Sequence, residues 1–130
     1  MMDDERTIQE NELRMQIIEQ QAAAVQKQIQ QLEDQLSELD ITKQSLEELE
    51  KSKNGAEMLS MLSPGIFVKS RLEDNKDVII NAGGNIAVKK KTGEAKKMIE
   101  EQIEEIKKIQ AQLLMDVQKF NDAILKMEKG

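Results

Sequence analysis

Apolar residues recur at alternating spacings of three and four residues along the first part of the chain, and this heptad repeat constrains the fold most. Polar Asn11 and Lys43 complete the spacing of Ile8, Met15, Ile18, Ala22, Val25, Ile29, Leu32, Leu36, Leu39 and Leu46. An average period of 3.5 residues is typical of two α-helices wound left-handed around one seam. The segment contains no proline, and its first glycine is Gly55. Residues 4–53 are therefore predicted to form one coiled-coil helix.

The same repeat returns in the last part of the chain. It comprises Ile99, Ile103, Ile106, Gln110, Leu113, Val117, Phe120, Ile124 and Met127. Residues 93–129 are predicted to form the second coiled-coil helix. Thr92 is predicted to cap its start, and Glu94 stands in the first turn, where an acidic side chain is favourable.

Two heptad segments joined by a connector are expected to fold back on each other antiparallel. In that register Leu46 lies near Ile99, and Leu36 lies near Gln110. The first turns of the first helix then project beyond the end of the second. Polar residues in a seam more often fix its register than bind a ligand, and this applies to Asn11, Lys43 and Gln110.

Residues 54–92 separate the two helices and have the pattern of β-hairpins. Short β-branched runs, including Ile66–Leu72 and Asp77–Ala82, alternate with turn residues. Pro64-Gly65 is predicted to turn the chain between the first two strands, and Gly83-Gly84 supplies the positive φ angles of a second tight turn. Two hairpins of this size are not stable alone in water, so the insert is predicted to associate with other chains.

The predicted fold class is mainly α with a β insert. A long antiparallel coiled-coil hairpin carries two β-hairpins at its elbow, within a single domain of residues 1–130. The residues predicted to form the assembly surface are the apolar ones of the insert: Ile66, Phe67, Val68, Leu72, Val78, Ile79, Ile80, Ile86 and Val88.

Surplus apolar residues cluster at the helix ends far from the insert, some in the seam and some outside it. Unpaired apolar side chains at such ends are expected to hold the exposed hydrophobic surface of another protein. The predicted client-binding residues are Ile8, Leu13, Met15, Ile17, Ile18, Ile124, Leu125 and Met127. Two alternatives stay open: isolated exposed apolar residues are ordinary, and these residues could form a helix–helix contact within an oligomer.

Several classes of function are disfavoured by composition. The net charge of -6 argues against nucleic acid as the main partner. The chain contains no Cys and no His, which removes thiol nucleophiles, imidazole bases and nearly every zinc site. No segment resembles a signal peptide or is long enough to cross a membrane. We therefore expect no enzyme activity, no cofactor, no metal and a cytoplasmic location.

The order of elements resembles the prefoldin alpha-class subunit over the whole chain. The residues that carry this resemblance are Leu62–Val68 in the first hairpin and Asp77–Lys90 in the second. The helices alone would match many coiled coils, whereas the hairpin pattern is more specific.

The resemblance implies a hexameric holdase that uses no nucleotide. Two alpha-class chains combine with four beta-class chains, and their hairpins form two β-barrels. The coiled-coil tips capture unfolded proteins and deliver them to a group II chaperonin in an archaeal cytoplasm. The alternatives are a homo-oligomeric or filament-forming prefoldin-like paralogue and, in a different class, a coiled-coil structural adaptor whose hairpins are only a dimerisation head.

Overall fold

The computed structural model describes residues 2–129 and the side chains of residues 4–129. Its elements are α1 (Met2–Lys51), β1 (Glu57–Ser63), β2 (Ile66–Arg71), β3 (Asp77–Asn81), β4 (Ala87–Lys91) and α2 (Thr92–Lys129). This order of helix, two β-hairpins and helix confirms the predicted fold class. Met1 and Gly130, the bounds of the predicted single domain, lie outside the described residues.

The chain divides into two compact units. The helical unit contains the residues up to Ser37 and those from Glu104 onwards, and the hairpin unit is Glu38–Ile103. Each unit therefore contains a part of both helices, and all four strands belong to the hairpin unit.

In the helical unit the heptad positions form the shielded seam. Ala22 is buried, and the other shielded positions are partly buried: Met15, Ile18, Val25, Ile29, Leu32 and Leu36 on α1, and Ile106, Gln110, Leu113, Val117, Phe120, Ile124 and Met127 on α2. Ile8 and Asn11, at the start of the repeat, are exposed. The period of 3.5 residues therefore predicted the seam from Met15 onwards.

One polar contact fixes the direction of the helices in this unit. Gln110 Nε2 donates to Glu33 Oε2 at 2.8 Å. Glu33 lies near the end of the α1 part of the unit and Gln110 near the start of the α2 part, so the two segments run antiparallel. The contact is within one turn of the predicted pairing of Gln110 with Leu36.

Two ion pairs fix the direction of the helices in the hairpin unit. Lys43 Nζ lies 3.9 Å from Glu100 Oε1, and Lys96 Nζ lies 3.6 Å from Glu47 Oε1. An advance of four residues on α1 corresponds to a retreat of four residues on α2, which is antiparallel pairing. The two pairs bracket Leu46, which is partly buried.

Each hairpin is a separate two-stranded antiparallel sheet, β1 with β2 and β3 with β4. In the first hairpin Met61 pairs with Phe67 and Ser63 with Ile66, which leaves Leu62 as an extra residue in β1. Gly65, after Pro64, has a φ of 83°. Gly83 and Gly84 have φ values of 95° and 58°, as predicted for the second turn.

The start of α2 differs from the prediction. Thr92 is already the first residue of α2, and its hydroxyl donates to the backbone carbonyl of Asn75 at 2.8 Å. The hydroxyl therefore ties α2 to the linker between the hairpins, because a linker carbonyl lies within reach. Glu94 stands in the first turn, as predicted.

Candidate assembly and client-binding surfaces

The first hairpin, β1 with β2, exposes apolar side chains on one face near its turn. Leu59, Met61 and Phe67 lie on this face and are exposed. At the base of the same face Arg71 Nη2 lies 3.8 Å from Glu57 Oε1. The face is therefore apolar toward the turn and charged toward the helices.

The opposite face of the first hairpin is also uncovered. Met58 and Val68 are exposed on this face, on either side of a pair of hydroxyls. Ser60 Oγ and Ser70 Oγ are 2.7 Å apart and share a hydrogen bond. The serines satisfy each other and leave the apolar side chains beside them open to solvent.

The second hairpin, β3 with β4, has one partly sheltered face and one open face. On the partly sheltered face Ile80 is partly buried and Val88 is exposed, and Lys90 Nζ donates to Met98 Sδ of α2 at 3.5 Å. On the other face Ile79 is 76% exposed. Beside it, Lys89 Nζ lies 3.5 Å from Asp77 Oδ2. The open face therefore presents one large apolar side chain next to an ion pair.

An open cleft of about 490 Å³ lies between the two hairpins. Its walls are Met58, Ser60 and Ser70 of the first hairpin and Asp77, Ile79 and Lys89 of the second, with Arg71, Leu72, Glu73 and Asp74 at the base. Asp77 and Lys89 in its walls form an ion pair, and Arg71 at its base pairs with Glu57 outside the cleft. The cleft therefore has mixed apolar and polar walls and a mainly charged base.

All four strands are edge strands, because each pairs on one side only. An edge strand presents unpaired N–H and C=O groups that are a template for pairing with another chain. The hairpins therefore offer both apolar faces and backbone hydrogen-bonding groups to a partner.

Most residues predicted for the assembly surface are exposed in this chain. The exposed ones are Ile66, Phe67, Val68, Ile79, Ile86 and Val88, and the partly buried ones are Leu72, Val78 and Ile80. The sequence prediction missed four exposed apolar side chains of β1: Met58, Leu59, Met61 and Leu62. The signal that could have found them is the apolar run directly before the predicted Pro64-Gly65 turn.

The residues predicted to bind clients all lie in the helical unit. Ile8, Leu13, Ile17 and Leu125 are exposed, whereas Met15, Ile18, Ile124 and Met127 are partly buried in the seam. Met127 is 17 residues beyond Gln110, and Gln16 is 17 residues before Glu33. The antiparallel register thus brings the end of α2 beside the residues around Ile17.

Exposed apolar side chains are not confined to the helix ends. Ile41 lies on α1 in the hairpin unit, and Ile109, Leu114 and Met115 lie on α2 in the helical unit, all of them more than half exposed. Exposure alone therefore does not distinguish a client-binding residue from an ordinary surface residue.

The described residues contain few groups suited to chemistry. Within residues 4–129 no His, Cys, Asp and Glu side chains converge in a group that could hold a metal ion. Every buried side-chain nitrogen or oxygen in that range has a hydrogen-bond partner. No helix in the described part of the chain has the length and apolar character needed to cross a membrane.

Residues 18–129 match the family model of the prefoldin subunit. The chain is 27% identical over 112 residues to the prefoldin subunit alpha of Archaeoglobus fulgidus, covering 86% of this chain and 82% of that one. It is 29% identical over 108 residues to the prefoldin subunit alpha of Methanobrevibacter smithii, covering 83% of this chain and 73% of that one.

Among solved structures, the fold is similar to filamentous PFD from Methanocaldococcus jannaschii, determined by cryo-EM. The TM-score is 0.77 at 19% identity, and the match covers 88% of this chain and 94% of that one. The structural likeness, the order of the elements and the match over residues 18–129 agree. The chain belongs to the prefoldin family, a family of molecular chaperones.

Proposed function

We propose that this chain is a subunit of an ATP-independent holdase that assembles through its two hairpins and captures unfolded proteins near its helix ends. The observation that carries the proposal is the exposure of apolar side chains on both faces of the first hairpin and at Ile79 and Val88 of the second. A chain that presents such strands, with four free edges, requires partners to cover them.

The exposed apolar side chains of the hairpins are large enough for their burial to stabilise an assembly. Full burial of a large apolar side chain contributes about 1.5–3 kcal/mol. Leu59, Met61, Phe67 and Ile79 are each at least half exposed, so their burial in a partner supplies several kcal/mol. Backbone hydrogen bonds along the strand edges fix how the strands of two chains align. If hairpins from several chains close into a barrel, every strand is paired on both sides and no free edge remains.

The partners that fit these hairpins are hairpins of the same family. We infer that this is an alpha-class chain, because similar chains carry the name prefoldin subunit alpha. The family resemblance then implies a hexamer of two alpha-class and four beta-class chains. A homo-oligomer or filament is the second candidate, favoured by the filamentous form of one structurally similar protein. Sedimentation velocity of the chain alone and mixed with a beta-class subunit separates the two, since a homo-oligomer forms without the second chain.

Client binding is assigned to the eight predicted helix-end residues. Leu13 and Ile17 are one turn apart on the outside of α1, and both are exposed. They offer an apolar stripe of which about half remains open to solvent. Several such stripes in one assembly bind a client more tightly than one, because the second contact is made at a high effective concentration.

No nucleotide takes part in this capture, since binding and release need only apolar contact. The captured protein is passed to a group II chaperonin in the cytoplasm, as in the family that the sequence resembles. A coiled-coil structural adaptor remains the competing function, and it predicts that the helix-end residues tolerate polar substitution without loss of activity.

The test compares two sets of exposed apolar residues on the same helix. The double variant Leu13→Gln/Ile17→Gln removes the stripe at the helix end. The single variant Leu13→Gln is included with Ile41→Gln as its matched control, because Leu13 and Ile41 occupy equivalent outer heptad positions and are 58% and 63% exposed. Light scattering of a chemically denatured test protein, diluted into buffer with each assembled variant, measures capture.

The double variant is expected to lose most of its suppression of aggregation, and Ile41→Gln is expected to retain it. Equal suppression by both variants and the unchanged chain would remove Leu13 and Ile17 from the binding site. Loss of suppression in Ile41→Gln as well would place binding along the outside of the coil.

A further inference from the structure

Asn75 lies in the five-residue linker between the two hairpins and contacts the ends of both helices. The linker, Leu72–Lys76, connects β2 to β3. Asn75 is partly buried there, as are Leu72 and Asp74, whereas Glu73 and Lys76 are exposed. Its hydrogen bonds reach residues 17 to 25 positions away in the sequence.

The side-chain amide of Asn75 closes the end of α1. Nδ2 donates to the Glu50 carbonyl at 3.1 Å and to the Ser52 carbonyl at 2.9 Å. The last four carbonyls of a helix have no intrahelical partner, and Glu50 carries one of them. Asn75 therefore acts as a capping residue for a helix that ended more than 20 residues earlier in the chain.

The backbone of Asn75 and of the next residue holds the start of α2. The Asn75 carbonyl accepts from Thr92 Oγ1 at 2.8 Å, and the Lys76 carbonyl accepts from the Thr92 amide at 2.8 Å. Thr92 is only 2% exposed. The point at which the linker meets α2 is therefore among the most shielded in the described chain.

The same linker closes the base of the first hairpin. The Leu72 amide donates to the Ala56 carbonyl at 2.9 Å, and the Gly55 amide donates to the Leu72 carbonyl at 2.6 Å. The Asn75 amide donates to Asn54 Oδ1 at 3.1 Å. The bonds around Asn75 thus join the bases of both hairpins to both helix ends.

We propose that Asn75 is the positioning residue of the hairpin unit: its side-chain amide and its carbonyl hold the two hairpins at fixed positions on the helix ends, as assembly through those hairpins requires. The consequence for assembly rests on the proposed function. The placement itself rests only on contacts within Glu38–Ile103.

Three asparagines of this unit, Asn54, Asn75 and Asn81, form side-chain hydrogen bonds through different atoms of the amide group. Asn54 Oδ1 accepts from the Asn75 amide, and Asn81 Oδ1 accepts from the Gly83 amide at 3.0 Å. A carboxylate replaces an amide oxygen as acceptor, but it has no N–H to donate. Substitution by Asp therefore preserves the hydrogen bond at Asn54 and Asn81, and it removes two bonds at Asn75.

The experiment measures hydrogen exchange of the Thr92 amide and assembly in the full chain carrying Asn75→Asp, Asn54→Asp or Asn81→Asp. Asn54→Asp adds the same charge close to the same helix end, so it controls for repulsion between the new carboxylate and the carbonyls of α1. Loss of two hydrogen bonds is expected to speed Thr92 exchange about 30-fold in Asn75→Asp. The other two variants are expected to change exchange less than threefold, about the effect of a single exposed charge near a helix end.

A second variant keeps the test decisive if Asn75→Asp disturbs folding. Thr92→Val preserves the shape of the side chain and removes only the bond to the Asn75 carbonyl. It is expected to speed exchange in residues 72–76 about fivefold. Circular dichroism of every variant reports whether the helices remain.

Sedimentation velocity, alone and with a beta-class subunit, completes the test. Faster Thr92 exchange together with weaker assembly in Asn75→Asp alone supports the inference. Exchange equal to that of Asn54→Asp overturns it, and so does faster exchange with assembly unchanged. An unaltered chain that assembles under no condition refutes the proposed function instead, while the exchange comparison still decides whether Asn75 fixes the hairpins.

Discussion

Ile79 provides the sharpest test of the assembly surface, because two adjacent isoleucines of β3 point to opposite faces. Ile79 lies on the open face of the second hairpin and is 76% exposed, whereas Ile80 is partly buried on the face that borders Met98. Replacing each by Ala removes the same atoms from the same strand. Only the position relative to the proposed partner differs.

The magnitude follows from the area still open to solvent. Complete burial of an isoleucine contributes about 1.5–3 kcal/mol, so covering the exposed three quarters of Ile79 contributes about 1–2 kcal/mol. Ile79→Ala is expected to raise the dissociation constant of the assembly about 5- to 30-fold. Stability of the dissociated chain is expected to change little, since substitutions at exposed positions rarely affect it.

Ile80→Ala is expected to give the opposite pattern. It removes a side chain that is already packed within the chain, so it lowers protection of the β3–β4 amides from exchange. Sedimentation velocity over a dilution series measures the dissociation constant, and hydrogen exchange measures local stability. An unchanged dissociation constant for Ile79→Ala would refute the argument that this open face is covered in the assembly.

Two other predictions concern the turns and the seam. Gly65 has a φ of 83° and Gly93 does not have a positive φ, while a Cβ at either position meets no atom within 4 Å. Gly65→Ala is therefore expected to destabilise the first hairpin by about 1–2 kcal/mol, and Gly93→Ala is expected to stabilise the chain by about 0.4–1 kcal/mol. Hydrogen exchange measures both effects, and equal protection in the two variants would contradict the prediction. Gln110 is a polar seam residue bonded to Glu33, so Gln110→Leu is expected to raise the urea midpoint of the helical signal, because polar seam residues usually specify register at a cost in stability. A lower midpoint would show that the hydrogen bond outweighs the apolar gain.

The helices were the most predictable part of this protein. Their seam depends on a spacing that is local in sequence, and the partly buried positions from Met15 to Leu46 on α1 are those that the heptad repeat predicts. The turns were predictable for a related reason, since Gly65, Gly83 and Gly84 adopt positive φ angles that glycine tolerates best.

The side chains of β1 were harder to assign. Apolar residues occur on both faces of Glu57–Ser63, as at Met58 and Leu59, so the strand lacks the alternation that marks a half-buried strand. Methionine and leucine also have weaker strand preference than the β-branched residues of β3. A strand before Pro64 was predicted, but its exposed side chains were not recognised as part of the surface.

The contacts of Asn75 and Thr92 could not be predicted at all. They join positions 17 to 25 residues apart and depend on how the hairpins fold back on the helix ends. Local rules treat Thr92 as a helix cap and Asn75 as an ordinary linker residue. The tertiary structure uses both to connect the linker with the helices.

The central claim is that this chain, once assembled, holds unfolded proteins without nucleotide. The most direct measurement is light scattering of a denatured test protein diluted into nucleotide-free buffer, with and without the assembly at a confirmed oligomeric size. We predict that suppression of aggregation rises with the amount of assembly until the test protein is saturated. Undiminished aggregation in the presence of the confirmed oligomer would contradict the account and favour a structural adaptor.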